Sequence, residues 1–358
     1  MPDISCYRFN FYNTVVFELY TDAPQAETFF NAEYQSHRVE ELPEGVPTVR
    51  LHFRYDPVSV SAPSGMTYHS HKLLARWSYN LRFSNPQKAS TRDRIEIEAV
   101  GNYPAIPMIH HMLIHPSLRY LCARHGMVML HSGSVVKNGR SLIFTGRGGT
   151  GKTTATSLIL AYGGINWSLH SDDYTFLTPE PASFEYLTRS HLYLDLLRWI
   201  PEINERLTFA ERVRLGFFGW ARSLSGERLK WPVRLSADRL WPDRQVTVRA
   251  SPAGILFLRR SDIREPQLLR LEYEPALLQE LLEMNFREAR HYLHLVEKTQ
   301  AASGFSGWLE DWKQAESKLI ETVLRQTPIY RLEFPIHKVQ IDPFCKQLIN
   351  LLDGLVEN

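Results

Sequence analysis

One stretch limits the folds open to this chain more than any other. Gly146-Arg147-Gly148-Gly149-Thr150-Gly151-Lys152-Thr153 carries the pattern G-x-x-x-x-G-K-[ST] in full. Its glycines allow successive backbone N–H groups to turn toward one anion. Ser141 to Thr145 before it reads as an apolar strand, and Thr153 to Tyr162 after it reads as a helix. That helix would point the positive end of its dipole at the same anion. A strand, a cradle of amides and a helix in that order place the loop at one edge of an α/β sheet. The pattern then predicts a bound nucleotide triphosphate, with Lys152 on the β and γ phosphates and the Thr153 hydroxyl on Mg²⁺.

The flanks extend this reading. Met127 to Leu130 is an apolar run that reads as a buried strand, with His131 at its end. Asn138-Gly139 after Val135-Val136 is a hairpin turn signal, which makes 141–145 the return strand. Asp172-Asp173 follows Lys152 by 20 residues. The intervening helix, the Gly163-Gly164 turn and the run 165–170 would bring the pair back to the edge that holds the loop. One carboxylate can hold Mg²⁺, directly or through water. The other can accept a proton from an attacking hydroxyl, and the neighbouring charge raises one pKa toward that task. Read blandly, the pair is a solvated turn or a helix cap.

Taken together, Leu130-His131-Ser132-Gly133-Ser134, Asn138-Gly139, Gly146 to Thr154 and Ser171-Asp172-Asp173 resemble the catalytic domain of HPr kinase/phosphorylase. Phosphoenolpyruvate carboxykinase shares that nucleotide-binding core, and its loop resembles Gly149 to Thr154. The resemblance covers residues 127–177. It implies a phosphate-loop (Walker A) mixed sheet of the HPr kinase/carboxykinase type, with Thr154 among the nucleotide contacts. It implies Asp172 as catalytic base, Asp173 assisting with metal or substrate, Thr153 ligating Mg²⁺ and His131 beside the transferring phosphate. The implied activity is a kinase that moves the γ-phosphoryl of ATP to a hydroxyl on a protein or peptide Ser or Thr. A small hydroxylated metabolite is the alternative acceptor, and a nucleotide-binding regulator with little transfer activity is a third reading. Homo-oligomeric assembly also follows from the resemblance. The Arg-Gly-x-Gly signature that follows the Asp pair in that family is missing here. Glu185 to His191 occupies the region, and Arg189 is its candidate for a phosphate or substrate contact.

Residues 1–105 are rich in aromatic and β-branched residues that alternate at 7–11, 49–53 and 94–98. They read as a β-rich accessory domain, punctuated by Pro and Gly at 43–47, 57–65 and 101–107. Residues 106–358 would then form the kinase domain. Pro107 to His125 reads as a helix broken or kinked at Pro116 and ended by Gly126. Helices are expected at 275–286, 308–325 and 343–355, and strands at 254–260 and 330–334. Residues 190–250 read as irregular and helical by turns, with several tryptophans. Residues 201–260 hold twelve Arg or Lys against six Asp or Glu, in a chain whose net charge is only +2. That stretch, with Arg259 and Arg260, could grip an acidic substrate or the nucleotide, or equally be a solvated face with neighbouring tryptophans packed below. The small net charge gives no general field for nucleic acid. Three cysteines without a CxxC spacing fit a reducing cytoplasm. No signal-peptide pattern or apolar run of spanning length is present, so no membrane partner is expected. His69 and His71 share a strand face, and His111 and His115 share a helix face. Both pairs read better as structural than as metal ligands.

Overall fold

The computed structural model describes residues 4–57, 68–83, 93–226, 231–303, 307–336 and 339–357. The expected punctuation at 58–65 lies outside them. The protein is mixed α/β, and its two large sheets both combine parallel and antiparallel pairs. It divides into two compact units, 1–129 with 285–319, and 130–284 with 320–358. The sequence boundary expected at 105/106 therefore falls instead at 129/130, with a later segment returning to the first unit. The cause is the packing of helical residues 105–124 on the strands Val15–Thr21, Thr48–Tyr55 and Ala75–Phe83.

Among the described residues the first unit is built on a seven-stranded sheet. Val15–Thr21, Thr48–Tyr55 and Arg94–Gly101 run parallel at its centre, with antiparallel strands on both sides. The alternation in these strands puts Phe9, Phe11, Phe17, Val49, Leu51, Ile95 and Ile97 in its core. The helix expected over 107–125 comes as three pieces: Ala105–Ile109, a π-helical turn His110–Ile114, and His115–Arg124. Pro116 stands in the first turn of the third piece. A proline has no N–H for the preceding ladder and crowds the carbonyl four residues back, and a wider turn relieves both. The wider turn also changes the histidine pairing. His110 and His115 stack at 4.6 Å between ring centroids, while His111 is exposed. His110 is bonded to the Tyr34 hydroxyl at 2.7 Å, which makes it structural.

Among the described residues the second unit is built on an eight-stranded sheet, with a separate two-stranded pair. Its centre is three parallel strands, Arg140–Thr145, Arg249–Ser261 and Ile329–Pro335. Val128–Lys137 forms the expected antiparallel hairpin with Arg140–Thr145. Asn138 and Gly139 both take positive φ, 55° and 73°, as a tight two-residue turn requires. One face of this sheet is covered by the helices Lys152–Tyr162 and Ile341–Val356. Their Leu158, Ile159, Leu348 and Leu352 pack with Leu142, Phe144, Leu256 and Leu332 in one buried cluster. Among the described residues, no helix is long and apolar enough to cross a membrane.

Candidate functional site

The site sits where the central strand Arg140–Thr145 ends. Its last turn is Gly146, at φ 151°, with a built Cβ only 3.1 Å from the Leu258 carbonyl oxygen and 2.7 Å from the Thr150 hydroxyl. Only glycine fits that backbone. Arg147, Gly148 and Gly149 are exposed, and the Thr150 amide and hydroxyl both bond to the Arg147 carbonyl, at 3.2 and 2.8 Å. Gly149 and Gly151 also have positive φ. The loop is thus a tight, open turn that feeds directly into the helix beginning at Lys152. Thr154 lies in the first turn of that helix. The Lys152 side chain is buried and folds back over the loop, donating to the Gly146 carbonyl at 2.8 Å.

The Asp pair comes to the same place. Asp172 accepts hydrogen bonds from the Thr153 and Ser190 hydroxyls and feels the Lys152 charge. Asp172 keeps some solvent exposure at its surface, yet protein crowds it closely. That crowding, and then the Asp173 charge, pushes its pKa up to about 6, against the pull of the two hydroxyls and Lys152. His131 faces the pair from the hairpin, with Nδ1 at 3.5 Å from an Asp173 carboxylate oxygen. It is not at a strand end, as the sequence suggested. Its strand continues to Lys137, because the chain leaves one neighbour, Tyr174–Thr178, and goes on to pair with Arg140–Thr145 and Ser168–Ser171. The backbone is tied to the pair as well, since Ser132 N–H donates to the Asp173 carbonyl at 3.0 Å. Gly133 fits under them, with its missing Cβ 2.6 Å from the Thr156 hydroxyl and 3.5 Å from the Asp172 carbonyl.

Gly146, Lys152, Thr153, Asp172, Asp173 and His131 therefore meet in one region. Arg189 is half-buried and immediately precedes Ser190, the partner of Asp172. Sequence reasoning did not find Ser190, which belongs to no motif. Arg260 is the clearer gain of the pair Arg259-Arg260. It extends past Phe257, the partner of Thr145 in the parallel register, and its guanidinium lies 3.3 Å from where a Gly151 Cβ would be. It donates to the Pro335 carbonyl at 2.9 Å, whereas Arg259 is exposed.

The donor set suits magnesium. A hydroxyl and a carboxylate, here Thr153 and Asp173, are what Mg²⁺ uses when phosphate oxygens and waters complete its octahedron. Among the described residues no three or more His, Cys, Asp or Glu form a metal site by themselves, so here the Thr153 hydroxyl, phosphate and water would have to complete it. His69 is bonded to the Ser78 hydroxyl at 2.8 Å. No protein-family model matches this chain, and no curated protein is significantly similar to it.

Proposed function

We propose that the protein is a kinase that transfers the γ-phosphoryl group of ATP to the hydroxyl of a Ser or Thr in a protein or peptide. The observation that carries this reading is the meeting of Lys152 and Thr153 with Asp172, Asp173 and His131 at one sheet edge. A site that only held a nucleotide would need the loop but not a carboxylate whose pKa is raised to about 6. The order of hairpin, glycine loop, helix and Asp pair supports the phosphate-loop sheet of the HPr kinase/carboxykinase type. Three free cysteines are in keeping with a reducing cytoplasm.

In this mechanism the amides of 148–153 hold the β-phosphate of ATP. Lys152 leaves the Gly146 carbonyl for the β and γ oxygens, and Arg260 stands beside the loop as a second cation. Thr153 and Asp173 would hold Mg²⁺, which when bound draws charge from the β and γ oxygens. Asp172 takes the proton of the acceptor hydroxyl as its oxygen bonds to the γ-phosphorus. The bond to the β–γ bridging oxygen breaks and ADP leaves. The Asp172 proton then passes to water. His131 braces Asp173 and lies near the transferred group. Most of the rate would come from positioning and fixed charge.

A cavity of about 160 Å³ is lined by residues that include Tyr193 and Asp195, and Tyr193 lies near enough to feel the Asp173 and Asp172 charges. It has room for a single side chain rather than a whole metabolite of ordinary size, which favours a peptide acceptor. The test is direct. Lys152→Ala should weaken binding of a non-hydrolysable ATP analogue with Mg²⁺ by about tenfold or more. Asp172→Asn should bind the analogue almost as well as the parent, yet lose about 10²-fold or more in phosphopeptide formation. Unchanged transfer by Asp172→Asn removes Asp172 as base, and unchanged binding by Lys152→Ala removes the loop assignment.

A further inference from the structure

The helix Phe209–Leu224 has two apolar faces where a surface helix ordinarily has one. Its inner face is set by Leu215, which is buried, and by Gly219, which lies against Leu194. Its outer face carries Phe209, Val213, Phe217, Trp220 and Leu224, all between 54% and 81% exposed. At about 100° per residue these five span roughly 80° of the helix circumference. They form a continuous stripe on the order of 500 Å², a size that on a monomer commonly marks an interaction site. Gly216 is open on the same side, and exposed Arg212 and Arg214 border the stripe.

The helix is firmly held. Thr208 and Glu211 complete a capping box, and Glu211 also pairs with Arg239 at 2.8 Å. The stripe is thus fixed outward.

Two observations say what covers it. The first is charge. The arginines bordering the stripe are positive, within a stretch that is basic by twelve to six. A second copy docked on this face across a two-fold axis would set arginines against arginines. The complement is an apolar seam with acidic borders. The second observation is continuity with the proposed acceptor site. Leu215, Phe218, Gly219 and Arg222 on the inner face line the 160 Å³ cavity, together with Tyr193 and Trp231. Tyr193 lies three residues from Ser190, the partner of Asp172, about 10 Å along extended chain. One helix therefore bounds the acceptor cavity on one side and offers an apolar stripe on the other.

We infer that Phe209–Leu224 is the docking helix for the peptide acceptor. The acceptor binds as an amphipathic helix with apolar residues at i, i+3, i+4 and i+7 and Asp or Glu beside them. An adjoining extended segment carries its Ser or Thr to the cavity. This rests on the kinase reading, but the docking half can be measured without phosphoryl transfer.

The probe is a labelled synthetic peptide, an amphipathic helix of about 20 residues with Leu on one face and Glu along its borders. A short Ser-containing tail follows. Binding is read by fluorescence anisotropy without nucleotide. The full-length protein should bind it saturably. Phe217→Ser with Trp220→Ser should weaken binding about tenfold or more and leave nucleotide-analogue affinity unchanged. Arg212→Glu with Arg214→Glu should also weaken it, and a peptide with Lys borders should restore binding to that variant.

No binding at about 1 mM peptide, equal binding by the Ser variants, or no rescue by the Lys peptide overturns the proposal. So does binding of anionic phosphatidylglycerol vesicles in place of the peptide. So does a self-association, seen by sedimentation, that the Ser variants abolish. If the peptide docks through the stripe but its Ser is not phosphorylated when ATP and Mg²⁺ are added, the docking stands and the kinase reading falls. If the Ser is phosphorylated with equal kcat/KM by the parent and the stripe variants, the kinase reading stands and the docking falls.

Discussion

Two residues near the loop show how local physics and function conflict. Asp172 is ionised at neutral pH although its surroundings favour the neutral acid, with a pKa of about 6. The unfolded chain holds that proton only below about 4. Between these values the folded state binds the extra proton, so this group's contribution to stability falls as pH rises from about 4 to 6. Asp172→Asn removes the burden while keeping a side chain that can bond to Thr153 and Ser190. At pH 7 it should therefore raise the unfolding free energy by roughly 1–3 kcal/mol, read in urea melts, while on the proposed kinase reading it lowers transfer by about 10²-fold or more. On the proposed kinase reading, the same ionisation should put an acid limb near pH 6 on kcat/KM, since Asp172 as base would have to be unprotonated. Gly133 gives a second case. A methyl there meets the Thr156 hydroxyl at 2.6 Å, so Gly133→Ala should cost about 1–3 kcal/mol. Adding Thr156→Ala should recover part of that loss, whereas strict additivity would show that the clash is not the cause.

At the scale of elements, the first unit depends on a segment far from it in sequence. Arg119, in the helix His115–Arg124, donates to Glu316 through Nε at 3.1 Å and a terminal nitrogen at 2.5 Å, and also to the Asn285 carbonyl. Glu316 accepts further bonds from Trp312 Nε1 at 2.9 Å and from Asn285 at 2.7 Å. The arginine lies over the Phe286 and Trp312 rings. Both charges are almost fully buried and well bonded, so removing one strands the other. Arg119→Ala should lose about 3–5 kcal/mol in chemical denaturation, and the double change Arg119→Met with Glu316→Met much less. A loss below about 1 kcal/mol for the single change would mean that water reaches the pair. Helical spacing alone puts Phe209, Val213, Phe217, Trp220 and Leu224 on one face, which reads as a buried one. The structure buries the opposite face instead. The alternative of tryptophans packed below a solvated face fits Trp241, 4% exposed, but not Trp220, 60% exposed.

For the whole molecule, each unit contains a buried neutral histidine. His37 in the first has its pKa lowered to about 3 by burial alone, and His170 in the second to about 4. His170 is bonded to the Thr247 carbonyl at 2.5 Å and to Ser183 at 3.0 Å. Below pH 6.5 the unfolded chain binds protons at these sites that the folded chain refuses. Stability is therefore lost as pH falls from about 6.5 toward 4, by on the order of 3 kcal/mol for each histidine. Asp172 opposes this only in part. His170→Gln should flatten the loss in thermal melts between pH 7 and 5, and an unchanged slope would show that His170 is not responsible. The discontinuous first unit makes a further demand. Residues 1–129 expressed alone lack Asn285, Trp312 and Glu316 and should not show a cooperative transition by circular dichroism, because Arg119 would be buried without its partners.

The loop, the hairpin and the helix after it were legible because each depends on neighbours in sequence: positive φ at Asn138, Gly139 and Gly146, and apolar runs on both sides. Their order also placed the Asp pair at the loop's edge, since a short helix and strand leave it few other places to go. Nothing local could supply Ser190 beside Asp172, Arg260 beside Gly151, or the return of 285–319 to the first unit. Those depend on which strands become neighbours and on which buried charges find each other. Period and composition specify that a helix has an apolar stripe. Only the competition among all apolar surfaces for a finite core decides whether that stripe is covered, and for Phe209–Leu224 it left the larger one in solvent.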